Sequence, residues 1–143
     1  NFSVSLLAGF TIFTLAIFNE LYSIEAFLFI VFAFGSTLVR EILKDLEDRK
    51  GDAQHGCKTL PIVLGIASTK VILAGIILAY VLASGILAFL VNTHQFIYLS
   101  LTVGPLYIYS LFSLYRADSK KHFKRLSTIS KLIMVIGIFA MIF

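Results

Sequence analysis

The sequence predicts an all-α fold, a polytopic transmembrane bundle of five spans, and three observations carry that prediction. Of 143 residues 59% are hydrophobic and only 14% charged, whereas a soluble domain carries about 25% charge. All twelve Lys and Arg fall in two segments, 40–70 and 116–131. Between and around those segments lie apolar runs at 2–18, 24–39, 71–91, 96–114 and 126–143, each near the length a bilayer requires. The net charge of +4 is too localised for a nucleic-acid surface. Residues 1–143 read as a single transmembrane domain, with the lipid bilayer as the first partner and no nucleic acid.

The first run, 2–18, is interrupted only by Ser and Thr, whose hydroxyls bond back to the helix backbone. A polar turn at 19–23 leads into the second run. Helical periodicity there continues past the apolar part through Glu41 and Asp45 to about Lys50, where Gly51 is the expected terminator. After a loop, Thr59-Leu60-Pro61 reads as a helix start, with Thr59 as cap and Pro61 in the first turn. Residues 62–67 are too short to span and are expected to lie along the interface. The third and fourth spans are joined by the turn 92–95, and Gly104-Pro105 predicts a kink midway along the fourth. The fifth span starts at Leu126.

Charge orients the spans. The turns 19–23 and 92–95 contain no Lys or Arg. By the positive-inside rule the two basic segments are cytoplasmic and the turns face outward. Five spans then begin inside and end outside. The chain is expected to be an integral protein of the cell (inner) membrane with its acidic segment on the cytoplasmic side.

That acidic segment, Arg40 to Lys58, holds five acidic and five basic residues. On an ideal helix with Glu41 at zero, Asp45 falls at about 40°, Asp48 at about 340° and Asp52 at about 20°. Four carboxylates thus share one narrow stripe, and like charges at these spacings repel by roughly 0.2–0.5 kcal/mol per pair. A cation resolves the repulsion. Mg²⁺ is the natural candidate, since it takes oxygen ligands from one or two carboxylates plus substrate phosphates. Lys44 and His55 flank the stripe at about 300° and 320° and Arg40 lies at about 260°, positions suited to a phosphate. The alternative is a solvated loop whose charges balance by chance.

Other candidates carry less. His94 and His122 lie far along the chain from His55, so the three histidines form no metal set. Cys57 reads as a loop cysteine, and no intramolecular disulfide is possible. The basic run 116–125 reads as a lipid-headgroup anchor or as a means of steering an anionic substrate. Tyr22, Tyr98 and Tyr115 read as interface anchors. Tyr80, Tyr107 and Tyr109 lie deeper, in packed core or along an apolar tunnel.

Taken together, Arg40-Glu41-x-x-Lys44-Asp45-x-Glu47-Asp48-x-x-Gly51-Asp52 followed by Gly56-x-Lys58-Thr59-Leu60-Pro61 and Gly65 resembles the second aspartate-rich signature of the UbiA superfamily of intramembrane prenyltransferases. Asp45, Asp48 and Asp52 match its DxxDxxxD pattern position for position. The REIxKDxED form is most similar to geranylgeranylglycerol-phosphate geranylgeranyltransferases and their relatives. The resemblance implies a nine-helix fold in which two aspartate-rich motifs face each other and hold a prenyl diphosphate through Mg²⁺. These five spans would be its last five, the C-terminal part of a larger domain whose first motif is absent here.

The resemblance also implies roles. Asp45, Asp48 and Asp52 would be the catalytic and metal-binding residues, while Arg40, Lys44 and Lys58 would bind the diphosphate. A prenyl group would pass from an allylic prenyl diphosphate to a membrane-embedded lipid or aromatic acceptor, with geranylgeranylglycerol phosphate a candidate. With the N-terminal half missing, the 143 residues alone are expected to be inactive. The alternative from another class is a cation or solute transporter using the stripe at 41–52. Against it, acidic and basic residues are missing from the middles of the apolar runs, where a transporter keeps its charges.

Overall fold

A computed structural model describes residues 1–18, 24–91 and 94–139. These form six helices in chain order, α1 (Phe2–Phe18), α2 (Ile24–Gln54), α3 (Leu60–Val63), α4 (Gly65–Val91), α5 (His94–Tyr115) and α6 (Lys120–Phe139). Among the described residues there is no strand. The architecture is an all-helical membrane bundle. Segments of α2, α4 and α5 (Ala26–Gln54, Gly65–Ala83 and Ile97–Tyr115) are long and apolar enough to cross a membrane, and α1 is a shorter apolar helix. Residues 19–23 and the first half of the predicted 92–95 turn lie outside the described residues, and His94 opens α5.

The outside of the bundle is as apolar as its inside. Leu7, Leu15, Val71, Leu82, Leu101 and Phe112 are all exposed, the arrangement expected of helices that face lipid rather than water. In lipid the hydrophobic effect does not drive helices together, so close packing must. In α1, Thr hydroxyls satisfy themselves locally: Thr11 donates to the Leu7 carbonyl at 2.9 Å and Thr14 to Phe10 at 2.8 Å.

Helix α2 is the centre of the bundle and packs against α1, α3, α4 and α6. Its Val39, Ile42, Leu43 and Leu46 are buried with Leu73 and Ile77 of α4 and Leu126 and Ile133 of α6. Small residues let the backbones approach. Ser36 and Thr37 of α2 and Ser127, Ser130 and Gly137 of α6 are buried. A Cβ on Gly137 would sit 2.1 Å from Phe32 Cε1. On the α4 side, the Tyr80 hydroxyl donates to the Val31 carbonyl at 2.5 Å. Tyr80 stacks on Tyr107 with ring centroids 6.0 Å apart, and Tyr107 is buried. These two tyrosines belong to the packed interior.

Three boundaries differ from the sequence expectation. Helix α2 runs to Gln54 and ignores Gly51. Its terminator is Gly56, whose φ of 68° lies in the left-handed region that glycine adopts at no steric cost. There Gly56 N–H bonds to the Ala53 carbonyl and Cys57 N–H to Asp52, the paired bonds of a Schellman cap. Helix α4 begins at Gly65 rather than Val71, because Gly65 (φ 80°) turns the chain out of the short α3. Helix α6 begins at Lys120, six residues before its apolar part, because Ser119 offers its backbone carbonyl to the N–H groups of His122 and Phe123.

Contacts place the charged segments together. Lys70 at the start of α4 pairs with Asp118 just before α6 at 3.0 Å, Lys120 lies 3.6 Å from Asp48, and Asn1 bonds to Asp45. The start of α1, the end of α2, the start of α4 and the start of α6 therefore lie at one end of the bundle. With Cys57 replaced by Ser, single cysteines at positions 94 and 120 are expected to react with impermeant label from opposite sides of the membrane. Labelling of both from one side would contradict the alternation.

Candidate functional site

The last four turns of α2 have two faces. Val39, Ile42, Leu43 and Leu46, spaced i, i+3, i+4, i+7, form the buried apolar face. It is centred about 150° around the helix from Glu41. The carboxylate stripe occupies the opposite side, so packing of the first face holds the second in helical register beyond the apolar span.

The structure brings Glu41, Asp45, Asp48 and Asp52 onto one face of one helix but gives each a different setting. Asp45 is only 8% exposed, and the Asn1 side-chain amide donates to its Oδ2. A carboxylate withdrawn from water needs such a partner. Asp48 is partly exposed and lies 3.6 Å from Lys120 Nζ. Asp52 is half-buried and, among the described residues, has no ion pair. Glu41 is held by Arg40 at 2.6 Å. Of the phosphate candidates, Arg40 is thus engaged with its own neighbour, while Lys44 and Lys58 are exposed, as is His55. Thr59 takes the N-cap position before α3, but its hydroxyl makes no capping bond and is buried without a partner.

Among the described residues no three His, Cys, Asp or Glu side chains converge as a metal site. The helix explains why. Asp45 and Asp52 are separated by about 10.5 Å of rise, far beyond what one Mg²⁺ with bonds of about 2.0–2.1 Å can bridge. A single ion can be shared by two neighbouring carboxylates at most. The donor set is the hard-oxygen kind that Mg²⁺ prefers, and two neighbouring carboxylates could hold such an ion only together with oxygen ligands from elsewhere.

The stripe face continues into the apolar part of α2. Ile30 and Phe34 fall at about 340° and 20° on the same helical scale, in line with Asp48 and Asp52. They line a wholly apolar groove of about 460 Å³ together with Phe2, Leu6, Phe10 and Phe13 of α1. A second apolar crevice of about 270 Å³ lies on the other flank of α1, against Phe32, Thr37 and Met134. One helix face thus presents an apolar groove and, about two turns further along, the acidic stripe.

Sequence reasoning missed Lys120 and Asn1 as partners of the stripe. Lys120 was legible only as part of a basic run, because its placement over Asp48 arises from the packing of α6 on α2.

Residues 1–137 match the UbiA prenyltransferase family. The chain belongs to that family. It is similar to digeranylgeranylglyceryl phosphate synthases of several archaea. That of Methanosphaera stadtmanae is 30% identical over 142 residues, which are 96% of this chain and 50% of the relative. That of Haloquadratum walsbyi is 34% identical over 72% of this chain and 36% of the relative. That of Methanothrix thermoacetophila is 38% identical over 60% of this chain and 34% of the relative. The chain spans about half the length of the curated relatives it matches. No solved structure matches it. Nothing in these likenesses supports a transporter.

Proposed function

We propose that this UbiA chain is the C-terminal part of a Mg²⁺-dependent enzyme that moves a prenyl group from an allylic prenyl diphosphate to a lipid or aromatic acceptor. Geranylgeranylglyceryl phosphate is the acceptor that the relatives' names suggest. The observation that carries the proposal is the alignment of the carboxylate stripe with the apolar groove along one face of α2. An allylic prenyl diphosphate has the same polarity, a polyanionic head on an apolar tail.

In this reading Asp45, Asp48 and Asp52 would hold Mg²⁺, no more than two neighbouring carboxylates to one ion, and the metal would supply charge that offsets that of the diphosphate. Lys44, on the flank of the stripe, and Lys58, in the loop after α2, are exposed and bind the diphosphate oxygens as they accumulate charge, with Arg40 contributing once it leaves Glu41. Phe2, Phe10, Phe13, Ile30 and Phe34 hold the tail and exclude water from the electron-deficient allylic carbon until the acceptor captures it. The five long helices serve as the last five of nine, and the missing N-terminal half supplies the opposing aspartate-rich wall. The acidic end faces the cytoplasm of the cell (inner) membrane.

This predicts a division of labour. In the complete protein, Lys44→Gln and Lys58→Gln are each expected to raise KM for the prenyl diphosphate several-fold and leave the Mg²⁺ dependence of kcat unchanged. Steady-state kinetics at several Mg²⁺ concentrations reads both quantities. A shift in Mg²⁺ demand with no change in KM would remove the lysines from the diphosphate.

A further inference from the structure

The basic run before and within α6 is not absorbed by the carboxylate site. Two of its arginines, Arg116 and Arg125, meet His122, Ser113 and Tyr109 around a small crevice of about 150 Å³ between α5 and α6, floored by Ile129. Neither arginine has a carboxylate partner among the described residues. Arg125 is held 5.9 Å over the Tyr109 ring, which orients a guanidinium without neutralising it. The nearby carboxylate of Asp118 is taken by Lys70 at 3.0 Å. The Asp118 backbone N–H donates to His122 Nδ1 at 3.4 Å, which leaves Nε2 as the ring's donor.

Two arginines without carboxylate partners, Ser113, Tyr109 and His122 therefore line a volume too small for a prenyl chain. It lies at the charged end of the bundle, directly above the apolar part of α6. It is separate from the carboxylate stripe. On α6, Lys120, which faces Asp48, lies about 160° around the helix from His122 and about 140° from Arg125.

We propose that this crevice is a second anion site that binds a phosphate-ester group, with Arg116 and Arg125 as its principal ligands. Guanidiniums favour phosphate through paired, charge-assisted hydrogen bonds. Two sources carry that chemistry at this depth: the headgroup of an anionic phospholipid and free phosphate or diphosphate from the aqueous side.

Native mass spectrometry of the complete protein in detergent separates the two. The wild type is titrated with phosphatidylglycerol, phosphatidylcholine and inorganic diphosphate in separate arms, beside Arg116→Gln/Arg125→Gln. Lys121→Gln/Lys124→Gln serves as a control that removes the same charge from exposed positions outside the crevice. The arginine variant is expected to bind phosphatidylglycerol at least ten-fold more weakly, with the lysine variant and phosphatidylcholine unaffected. A selective loss confined to diphosphate also supports the site and makes free phosphate its source. Unchanged binding of both anions by the arginine variant would overturn the proposal. So would equal losses in the two double variants, which would reduce the effect to diffuse charge. Melting temperatures of the variants establish that they fold, and Ser113→Phe, which fills the crevice and keeps every charge, must reproduce the loss.

Discussion

Asp48→Asn in the complete protein is expected to lower the rate of prenyl transfer by about 10²–10³-fold, the cost of losing a principal electrostatic stabiliser, and to raise the Mg²⁺ needed for half-maximal rate. The substitution keeps shape and removes one negative charge from the middle of the stripe, where Asp48 can share an ion with either neighbour. It also releases Lys120, 3.6 Å away. Asp45→Asn and Asp52→Asn are expected to fall in the same range. Glu47 lies about 100° around the helix from Asp48, so Glu47→Gln is expected to cost only a few-fold. Kinetics as a function of Mg²⁺ decides the matter. Equal damage from Glu47→Gln and Asp48→Asn would contradict the division of α2 into a metal-binding face and a flank.

Gly35→Ala is expected to be the most destabilising small change in the bundle. A Cβ at position 35 would lie 1.7 Å from the Tyr80 hydroxyl oxygen and 2.3 Å from Cζ. Tyr80 would have to leave its bond to the Val31 carbonyl and its contacts with Phe32 and Tyr107. Overpacking of this kind costs about 1–3 kcal/mol, and the lost hydrogen bond adds about 1 kcal/mol. A thermal melt in detergent should show a fall of several degrees. Tyr80→Phe should not rescue it, because the clash with Cζ remains, whereas Tyr80→Ala in the same chain should recover part of the loss. A wild-type melt for Gly35→Ala would mean that α2 and α4 do not approach as closely as described.

The helical membrane class was legible in the sequence because it follows from local quantities, the length of apolar runs and the confinement of Lys and Arg. The shared face of Asp45, Asp48 and Asp52 was legible for the same reason, since helical periodicity alone sets it. Helix ends were less so. Gly51 and Gly56 are equally good terminators on paper, and it is Gly56 that takes the left-handed φ of 68° and the paired capping bonds. The unequal settings of the carboxylates could not be read. Asp45 is buried and Asp48 paired only because α1 and α6 begin beside the end of α2, and no spacing within residues 40–58 encodes that. The apolar groove was invisible for a similar reason: Ile30 and Phe34 need α1 opposite them to form a wall.

The central claim is that the acidic end of α2 and the groove beside it serve prenyl transfer. The most direct measurement is incorporation of a radiolabelled allylic prenyl diphosphate into extractable lipid by membranes containing the complete protein, with geranylgeranylglyceryl phosphate supplied, with and without Mg²⁺, for wild type and Asp48→Asn. The account predicts Mg²⁺-dependent labelling of a lipid product by the wild type and its near loss in the variant. Labelling that is indifferent to both Mg²⁺ and Asp48 would contradict it.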